Sequence, residues 1–316
     1  VDCPNFDALK AATVPAGTYA TCLSGGYVRL GTYPPVGVVT CDADGDAVGG
    51  WAATTADVVL RLLVDHAAVD LSRIDLEAVA ALAVAVPGLI GWYQGTETTT
   101  VGEVLDRITR AAGAWWGSDG RGLVEVGRLT LPRVTPDYVL DQTIILETPE
   151  RLDLPDSIAQ PSWRRRVGWR RNWRVQGTAD LPEAPVEPAV PREFLSEQWR
   201  VATAVDTSLL ADRLRAIDAD IIEACFDAQG DAQALADHLL SLYGRPALAL
   251  SVAVPPLLAE GIVDGGLTLR RAVRIGSTVR VTYPRYGLAA GRNMVLVGVS
   301  EDWAAGRWVL TLWGPS

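Results

Sequence analysis

The chain has 316 residues, 49% of them hydrophobic, which is enough for two or three domains that each bury a core. Its formal net charge of -10 argues against a general nucleic-acid binder, because such affinity depends on a positive field. No apolar run is long enough to cross a bilayer, so a membrane-spanning protein is not expected.

The chain begins with Val1 rather than with a methionine, and its only methionine is Met294. No charged segment near the start is followed by an apolar core, so no signal peptide is predicted. We therefore expect these residues to belong to a longer polypeptide.

The cysteines are Cys3, Cys22, Cys41 and Cys225, and they include no C-x-x-C pair and no histidine at zinc spacing. Cys3 and Cys22 are placed to form a disulfide across a first hairpin, and two free buried thiols fit the spacing as well. The sequence leaves both states, and therefore the redox compartment, open.

The N-terminal segment is predicted to be β structure, with short strands at Tyr27–Gly31 and Gly37–Cys41. The acidic turn Asp42–Asp46 resembles the start of a calcium loop. Ala47 and Ala53 stand where such a loop needs its glycine and its closing glutamate. An ordinary acidic turn is therefore the default interpretation, and calcium is the alternative.

The next segment has the pattern of a compact α/β unit. Thr100 and Glu103 have the spacing of a capping box, and Gly113 marks the end of the helix that they begin. The predicted elements are helices beginning at Thr54, Asp75 and Thr100, a strand at Leu89–Tyr93, and a hairpin of Trp115–Trp116 with Leu123–Val126.

The stretch Ser162–Val175 separates into two faces only when it is read as a strand. One face carries Trp163, Arg165, Val167, Trp169, Arg171, Trp173 and Val175, and the other carries Arg164, Arg166, Gly168, Arg170, Asn172, Arg174 and Gln176. Aromatics interleaved with arginine are typical of single-strand nucleic-acid binders. The alternative is a scaffold strand with tryptophan in the core and arginine stems along the sheet.

The chain after this stretch contains a proline-rich strap, a mixed segment and a final β segment. Pro182, Pro185, Pro188 and Pro191 recur every third residue, which favours a polyproline II linker or strap, with an SH3 ligand as the alternative. The remaining predicted elements are Glu197–Ala204 (extended), a short helix from Thr207 or Ser208, a helix from Asp231 to Tyr243, a strand at Ala247–Val254, strands around Leu267–Ile275 and Val279–Tyr283, and a hairpin of Met294–Val299 with Trp308–Trp313. Four closely spaced C-terminal strands predict a small barrel or sandwich.

Motifs of catalysis are absent from the sequence, which contains no G-x-S-x-G, P-loop, G-x-G-x-x-G after a strand, or H-E-x-x-H. The histidines, His66 and His238, lie on separate predicted helices and are interpreted as structural. We therefore predict no enzyme and assign no catalytic, cofactor-binding or metal-binding residue. A carboxylate pair for glycoside hydrolysis is not singled out by any pattern.

Several segments together resemble the tail-tip and baseplate hub proteins of phages and prophages. The C-terminal β-domain of that family is similar to Arg274–Val281, Pro284–Leu288, Val297–Val299 and Leu310–Gly314. Further similar segments are Val14–Tyr19, Arg29–Gly31, Val167–Val175 and Asp231–Tyr243. The pair Cys3 and Cys41 departs from the family pattern.

The resemblance implies an α+β multidomain protein with β-barrel hub domains and inserted α/β domains. The implied segments are 1–50 (a β segment completing an N-terminal hub domain), 51–135 (an α/β domain), 136–180 (strands of a hub barrel), 181–200 (the proline-rich linker or strap), 201–257 (an α/β segment) and 258–316 (a C-terminal β-barrel segment).

The function implied by the resemblance is structural. The chain would form a homotrimer at the tip of a virion tail, close the tail tube and connect it to fibres or a spike for host attachment and DNA delivery. Its partners would be distal tail or tube proteins, the tape measure, and a central fibre or spike, after assembly in the host cytoplasm. Cofactors and a stable nucleic-acid site are not expected. One alternative is a carbohydrate- or nucleic-acid-binding module, which the eleven tryptophans and the arginine strand favour. The other is a tail-associated cell-wall hydrolase.

In this scheme Trp169 and Trp173 are expected to anchor the core and the subunit packing. Arg164, Arg166, Arg170 and Arg174 are expected to form a row that faces carboxylates on an adjacent strand or subunit.

Overall fold

A computed structural model describes residues 1–31, 50–95, 97–119, 122–177, 192–212, 216–256, 274–302 and 304–315. They form helices and several sheets, which confirms a mixed α+β fold. The chain divides into two units, one of Val1–Gly45 with Arg174–Ser196 and the other of Asp46–Trp173 with Glu197–Ser316.

The elements in chain order are as follows. The helices are α1 (Phe6–Ala11), α2 (Thr55–Arg61), α3 (Leu76–Ala85), α4 (Val101–Ala111), α5 (Asp156–Ala159), α6 (Arg192–Ser196), α7 (Ser208–Asp212) and α8 (Gln229–Tyr243). The strands are β1 (Tyr19–Cys22), β2 (Tyr27–Leu30), β3 (Ala114–Ser118), β4 (Val124–Arg128), β5 (Tyr138–Leu140), β6 (Glu150–Leu152), β7 (Ser162–Trp169), β8 (Arg200–Val205), β9 (Ile217–Glu223), β10 (Ala247–Val254), β11 (Thr278–Val281), β12 (Arg292–Asp302) and β13 (Arg307–Pro315).

The first unit contains the antiparallel hairpin of β1 and β2 and the helix α1. The sequence analysis predicted β2 but not α1, which begins where the side chain of Asn5 accepts a hydrogen bond from the Ala8 amide at 2.8 Å. Cys3 and Cys22 are both buried and both free thiols. The strand at Gly37–Cys41 and the turn Asp42–Asp46 lie outside the described residues, as does most of the proline-rich strap.

Helices α2, α3 and α4 of the second unit begin where the sequence predicted. Thr54 accepts from the Asp57 amide at 3.3 Å, and the Asp57 carboxylate accepts from the Thr54 amide at 3.0 Å. Thr100 and Glu103 form the same reciprocal pair at 3.2 and 2.8 Å. Each box satisfies amides that the first helical turn leaves without intrahelical partners, so both caps are confirmed.

The strand predicted at Leu89–Tyr93 is not formed. Leu89 makes a single bridge with Thr54, and Ile90 makes one with Phe226. Successive residues therefore pair with different parts of the chain, and no ladder develops between two neighbouring strands.

A three-stranded sheet in the order β8-β7-β9 packs against α8. Strand β8 runs antiparallel to β7, and β9, which the sequence analysis did not predict, runs parallel to it. Helix α8 begins at Gln229, with Asp231 in its first turn rather than at its cap, and it ends before Gly244 as predicted. One hydrophobic core joins this sheet and α8 to α2, α3, α4 and β4.

A six-stranded sheet in the order β5-β11-β12-β13-β10-β6 holds a second core. Nearly all of that core comes from the strands themselves, including Leu250, Leu296 and Leu312, which are fully buried. The predicted C-terminal hairpin is confirmed as β12 and β13. The segment Pro149–Gln160 contains two short elements, β6 and α5, which the sequence analysis did not predict.

The barrel expected for this region is not seen in the described residues. The two strands at the edges of the sheet, β5 and β6, are three residues long each and pair with β11 and β10 but not with each other. Closing a barrel requires the first and last strands to hydrogen-bond along a shared edge. The described sheet is therefore open.

Candidate functional site

The tryptophan and arginine stretch forms a strand only in its first half. Strand β7 ends at Trp169 because Arg170 adopts φ = +46°, a left-handed conformation that a non-glycine residue rarely takes. Two hydrogen bonds hold it there: the Arg170 amide donates to the Phe226 carbonyl at 2.7 Å, and Arg200 donates to the Arg170 carbonyl at 2.8 Å. The prediction of one continuous strand to Val175 was wrong beyond this point.

Three of the four arginines predicted to face carboxylates, Arg164, Arg166 and Arg170, do so. Arg164 donates two hydrogen bonds to Asp218 on β9, one of them of 2.9 Å, and Arg166 lies 3.4 Å from the same carboxylate. Arg170 is paired with Asp227 at 3.3 Å. The hydrogen bond from Arg164, together with the charge of Arg166, lowers the pKa of Asp218. Arg174 belongs to the other unit of the chain.

The opposite face of β7 is buried, also as predicted. Val167 is fully buried, and Arg165 is only 6% exposed, with its guanidinium carbon 4.8 Å from the centre of the Tyr243 ring. Burial lowers the pKa of Arg165 and raises the pKa of Tyr243. The long stem of Arg165 thus packs in the interior. The alternation of the sequence predicted this buried position, whereas the charge of the side chain by itself would favour the surface.

Trp169 and Trp173 differ in a way that the sequence did not show. Trp169 packs against the core shared by the helices and the three-stranded sheet. Trp173 follows the end of the strand and is 40% exposed, so its assignment to the core was wrong. Its ring contacts Trp92 edge to face, with centroids 5.3 Å apart, and Tyr93 at 6.1 Å.

Trp173 lies on the wall of a large cleft of about 1570 Å³ within the second unit. The guanidinium of Arg171 sits 4.4 Å from the centre of the Trp173 ring and 5.0 Å from that of Trp199. Trp115 and Trp116 of β3 line the same cleft. Aromatic residues from three separate parts of the sequence therefore meet in one concave surface.

Two of these tryptophans rest on strand glycines. A side chain at Gly127 would come within 2.7 Å of the Trp115 ring, and one at Gly168 within 3.2 Å of the Trp199 ring. A Cβ at Gly127 would displace the Trp115 indole, and one at Gly168 would crowd the Trp199 indole. The two rings therefore pack closely on the backbone of β4 and β7.

The polar residues of the cleft carry both signs of charge. The described lining includes four arginines and five carboxylates. Some are paired with each other: Arg171 lies 3.9 Å from Glu223. Burial raises the pKa of the Cys225 thiol, which also lines the cleft, to about 12, so this cysteine is protonated and unreactive at neutral pH.

Sequence reasoning missed this cleft. Trp92, Tyr93 and Trp199 were not singled out, since neighbouring residues give no sign that they meet Trp173. The high tryptophan content, eleven residues, was the only available signal.

The described residues give no sign of a metal centre, since no group of three or more His, Cys, Asp or Glu is placed to hold an ion. His238 contacts the Leu129 carbonyl at 2.9 Å, and burial is the main cause that lowers its pKa. This contact is consistent with a structural role. In the part of the chain that the structure describes, no helix combines the length and apolarity needed to span a bilayer.

Comparison with known proteins gives limited guidance. No family model matches the sequence, and no curated protein matches it either. Several solved structures are similar to parts of the chain. One is the virion of a native gene transfer agent particle, with 17% identity and a TM-score of 0.49 over 83% of this chain and 47% of that chain.

Two further similar structures are described as tail proteins. The tail protein from Neisseria meningitidis MC58 has 15% identity and a TM-score of 0.42, over 83% of this chain and 67% of that chain. The 43 kDa tail protein of prophage MuSo2 from Shewanella oneidensis has 16% identity and a TM-score of 0.38, over 70% and 56%. The chain thus spans about half the length of the gene transfer agent protein, covering 47% of it. Similarity at this level does not by itself establish a shared function.

Proposed function

We propose that this chain is a structural component of a phage-type tail, located at the tail tip, where it closes the tube and connects it to fibres or a spike. In this role it carries out no reaction. The residue motifs that resemble the hub family support the proposal. The proposal includes the six segments of the chain, from 1–50 to 258–316, that the resemblance implies.

The observation that carries the proposal is the arrangement of the four C-terminal motifs in one sheet. Arg274–Val281 leads into β11, Pro284–Leu288 turns the chain between β11 and β12, and the remaining two C-terminal motifs lie on β12 and β13. These strands are neighbours in the six-stranded sheet. The four motifs thus belong to one continuous structural element.

The interior of this sheet suits a structural role. Leu250, Met294 and Leu312 are completely inaccessible to solvent. Interiors packed to this degree resist deformation, because any displacement loses many contacts at once. A protein that transmits force between a tube and a fibre benefits from such an element.

The oligomer and the partners follow from the resemblance. We propose a homotrimer that contacts distal tail or tube proteins, the tape measure and a central fibre or spike. The protein is assembled in the host cytoplasm and ends up in the virion.

The experiment has two parts. Native mass spectrometry of the purified full-length protein is expected to give three times the subunit mass. Immunogold labelling of intact particles is expected to mark one end of the tail, and particles from a gene deletion serve as the unlabelled control. A strict monomer that is absent from particles would overturn the proposal.

The rival nucleic-acid function is weakened by the arginine pairing. Arg164 and Arg166 share the carboxylate of Asp218, so one of their two positive charges is already balanced before a phosphate could approach.

A further inference from the structure

We propose that the aromatic cleft of the second unit is a binding site for a neutral oligosaccharide chain. The proposal is independent of the tail role, since it rests on the cleft alone. The argument uses the size of the cleft, its aromatic rings and the signs of its charges.

The size of the cleft exceeds that of a small-molecule site. Its volume of about 1570 Å³ lies above the ~300–1,000 Å³ of ordinary ligand pockets. A ligand that fills it must be extended over several units, as a polymer chain is.

Aromatic rings in the cleft are exposed and held in place. Tyr93 is 61% exposed and Trp173 is 40% exposed, and they contact each other. Trp115 and Trp199 are positioned by the glycines beneath them. Fixed aromatic faces offer a large apolar contact area with little loss of side-chain entropy on binding. The C–H faces of pyranose rings are flat apolar surfaces that stack on such rings.

The charges of the cleft select against charged ligands. Five carboxylates repel a polyanion such as single-stranded DNA, and four arginines repel a polycation. A purely apolar ligand would desolvate these polar groups without offering them any hydrogen bond, which is unfavourable.

Hydroxyl groups of a ligand match the arginines and carboxylates of the cleft, because a hydroxyl both donates and accepts hydrogen bonds. Arginine side chains offer donors, and the carboxylates offer acceptors. A neutral ligand with flat apolar faces and many hydroxyls therefore matches the cleft, and this is the chemistry of a sugar chain.

The test is isothermal titration of the full chain with two probes, cellohexaose and the hexamer of N-acetylglucosamine. We expect saturable binding of at least one, accompanied by a change in tryptophan fluorescence. Tyr93→Ala and Trp173→Ala are each expected to weaken binding about tenfold or more, as the loss of one stacking partner does. Trp51→Ala is the matched control, because Trp51 is 55% exposed and lies outside this cleft.

A loss of binding in these variants can be distinguished from a loss of folding. Tyr93 is mostly exposed, so its replacement leaves folding intact, and thermal unfolding of each variant verifies this. Absence of binding by both hexasaccharides overturns the proposal, as does unchanged affinity in Tyr93→Ala and Trp173→Ala. Preferential binding of oligothymidylate at physiological ionic strength also overturns it and assigns the cleft to nucleic acid instead.

Discussion

Trp169 and Trp173 occupy equivalent places in the alternating sequence pattern and have different surroundings in the structure. We expect Trp169→Ala to lower the free energy of unfolding by about 3 kcal/mol, since Trp169 packs on the core. Trp173→Ala is expected to cost about 1 kcal/mol or less, because that ring is largely at the surface. Urea denaturation monitored by circular dichroism measures both.

Trp169→Phe serves as the control for this comparison. It keeps an aromatic ring and removes an indole N–H that is buried without a partner among the described residues, so its cost should stay below about 1.5 kcal/mol. Equal losses for Trp169→Ala and Trp173→Ala would show that both rings belong to the core, as the alternating pattern had predicted.

The arginine row shows what residue patterns predict well and what they leave open. Alternation correctly placed Arg164 and Arg166 on the face away from the core, with carboxylates as partners. The partner itself was not predictable, because Asp218 belongs to a strand that the sequence analysis did not find. That strand, β9, alternates acidic and apolar residues over a short span, and its pairing with β7 is a long-range contact.

Helix α4 provides a matched pair of glycines at the scale of an element. Gly102 lies in its first turn, where a Cβ would meet the Trp116 ring at an ordinary contact distance of 4.0 Å, and Gly113 follows the end of the helix with φ = +65°. Gly102→Ala should stabilise the protein by about 0.5–1 kcal/mol, because alanine favours the helix.

Gly113→Ala should have the opposite sign. Its new methyl group would lie 2.8 Å from Leu235 and would occupy a left-handed backbone position, so a loss of about 1–2 kcal/mol is expected. Thermal unfolding of both variants measures the difference. A stabilising Gly113→Ala would mean that the turn after α4 is not left-handed.

Elements with local signals were predicted best. The caps at Thr54 and Thr100 depend on residues three positions apart, and the hairpin of β12 and β13 depends on a short turn. Helix α1 and strand β6 were missed, since they are short and have weak periodicity. Their existence depends on what they pack against.

The two units differ strongly in the size of their cores, which leads to a prediction for the whole molecule. Among the described residues of the first unit, the hydrophobic core contains four buried side chains, those of Cys3, Leu9, Ala20 and Cys22. The strands β12 and β13 lie at the centre of a sheet whose inner face is fully buried.

We expect the amides of β1 and β2 to exchange with solvent at least about a hundredfold faster than those of β12 and β13, because local opening is easiest where few apolar contacts hold an element. Hydrogen–deuterium exchange with mass spectrometry measures this on the intact chain. Exchange from the hairpin that is as slow as that from the central strands would contradict this prediction, and α4, which has one buried face, serves as an internal reference.

The sequence by itself determined the mixed α+β character, the starts of three helices, the terminal hairpin and the two-faced nature of the Trp/Arg strand. These features follow from periodicity and capping, which act over a few residues. The tertiary structure alone decided where that strand ends, that the described six-stranded sheet stays open, and that Trp92, Tyr93, Trp173 and Trp199 meet in one cleft. Those outcomes depend on contacts between residues far apart in the chain, whose free energy no short stretch of sequence contains.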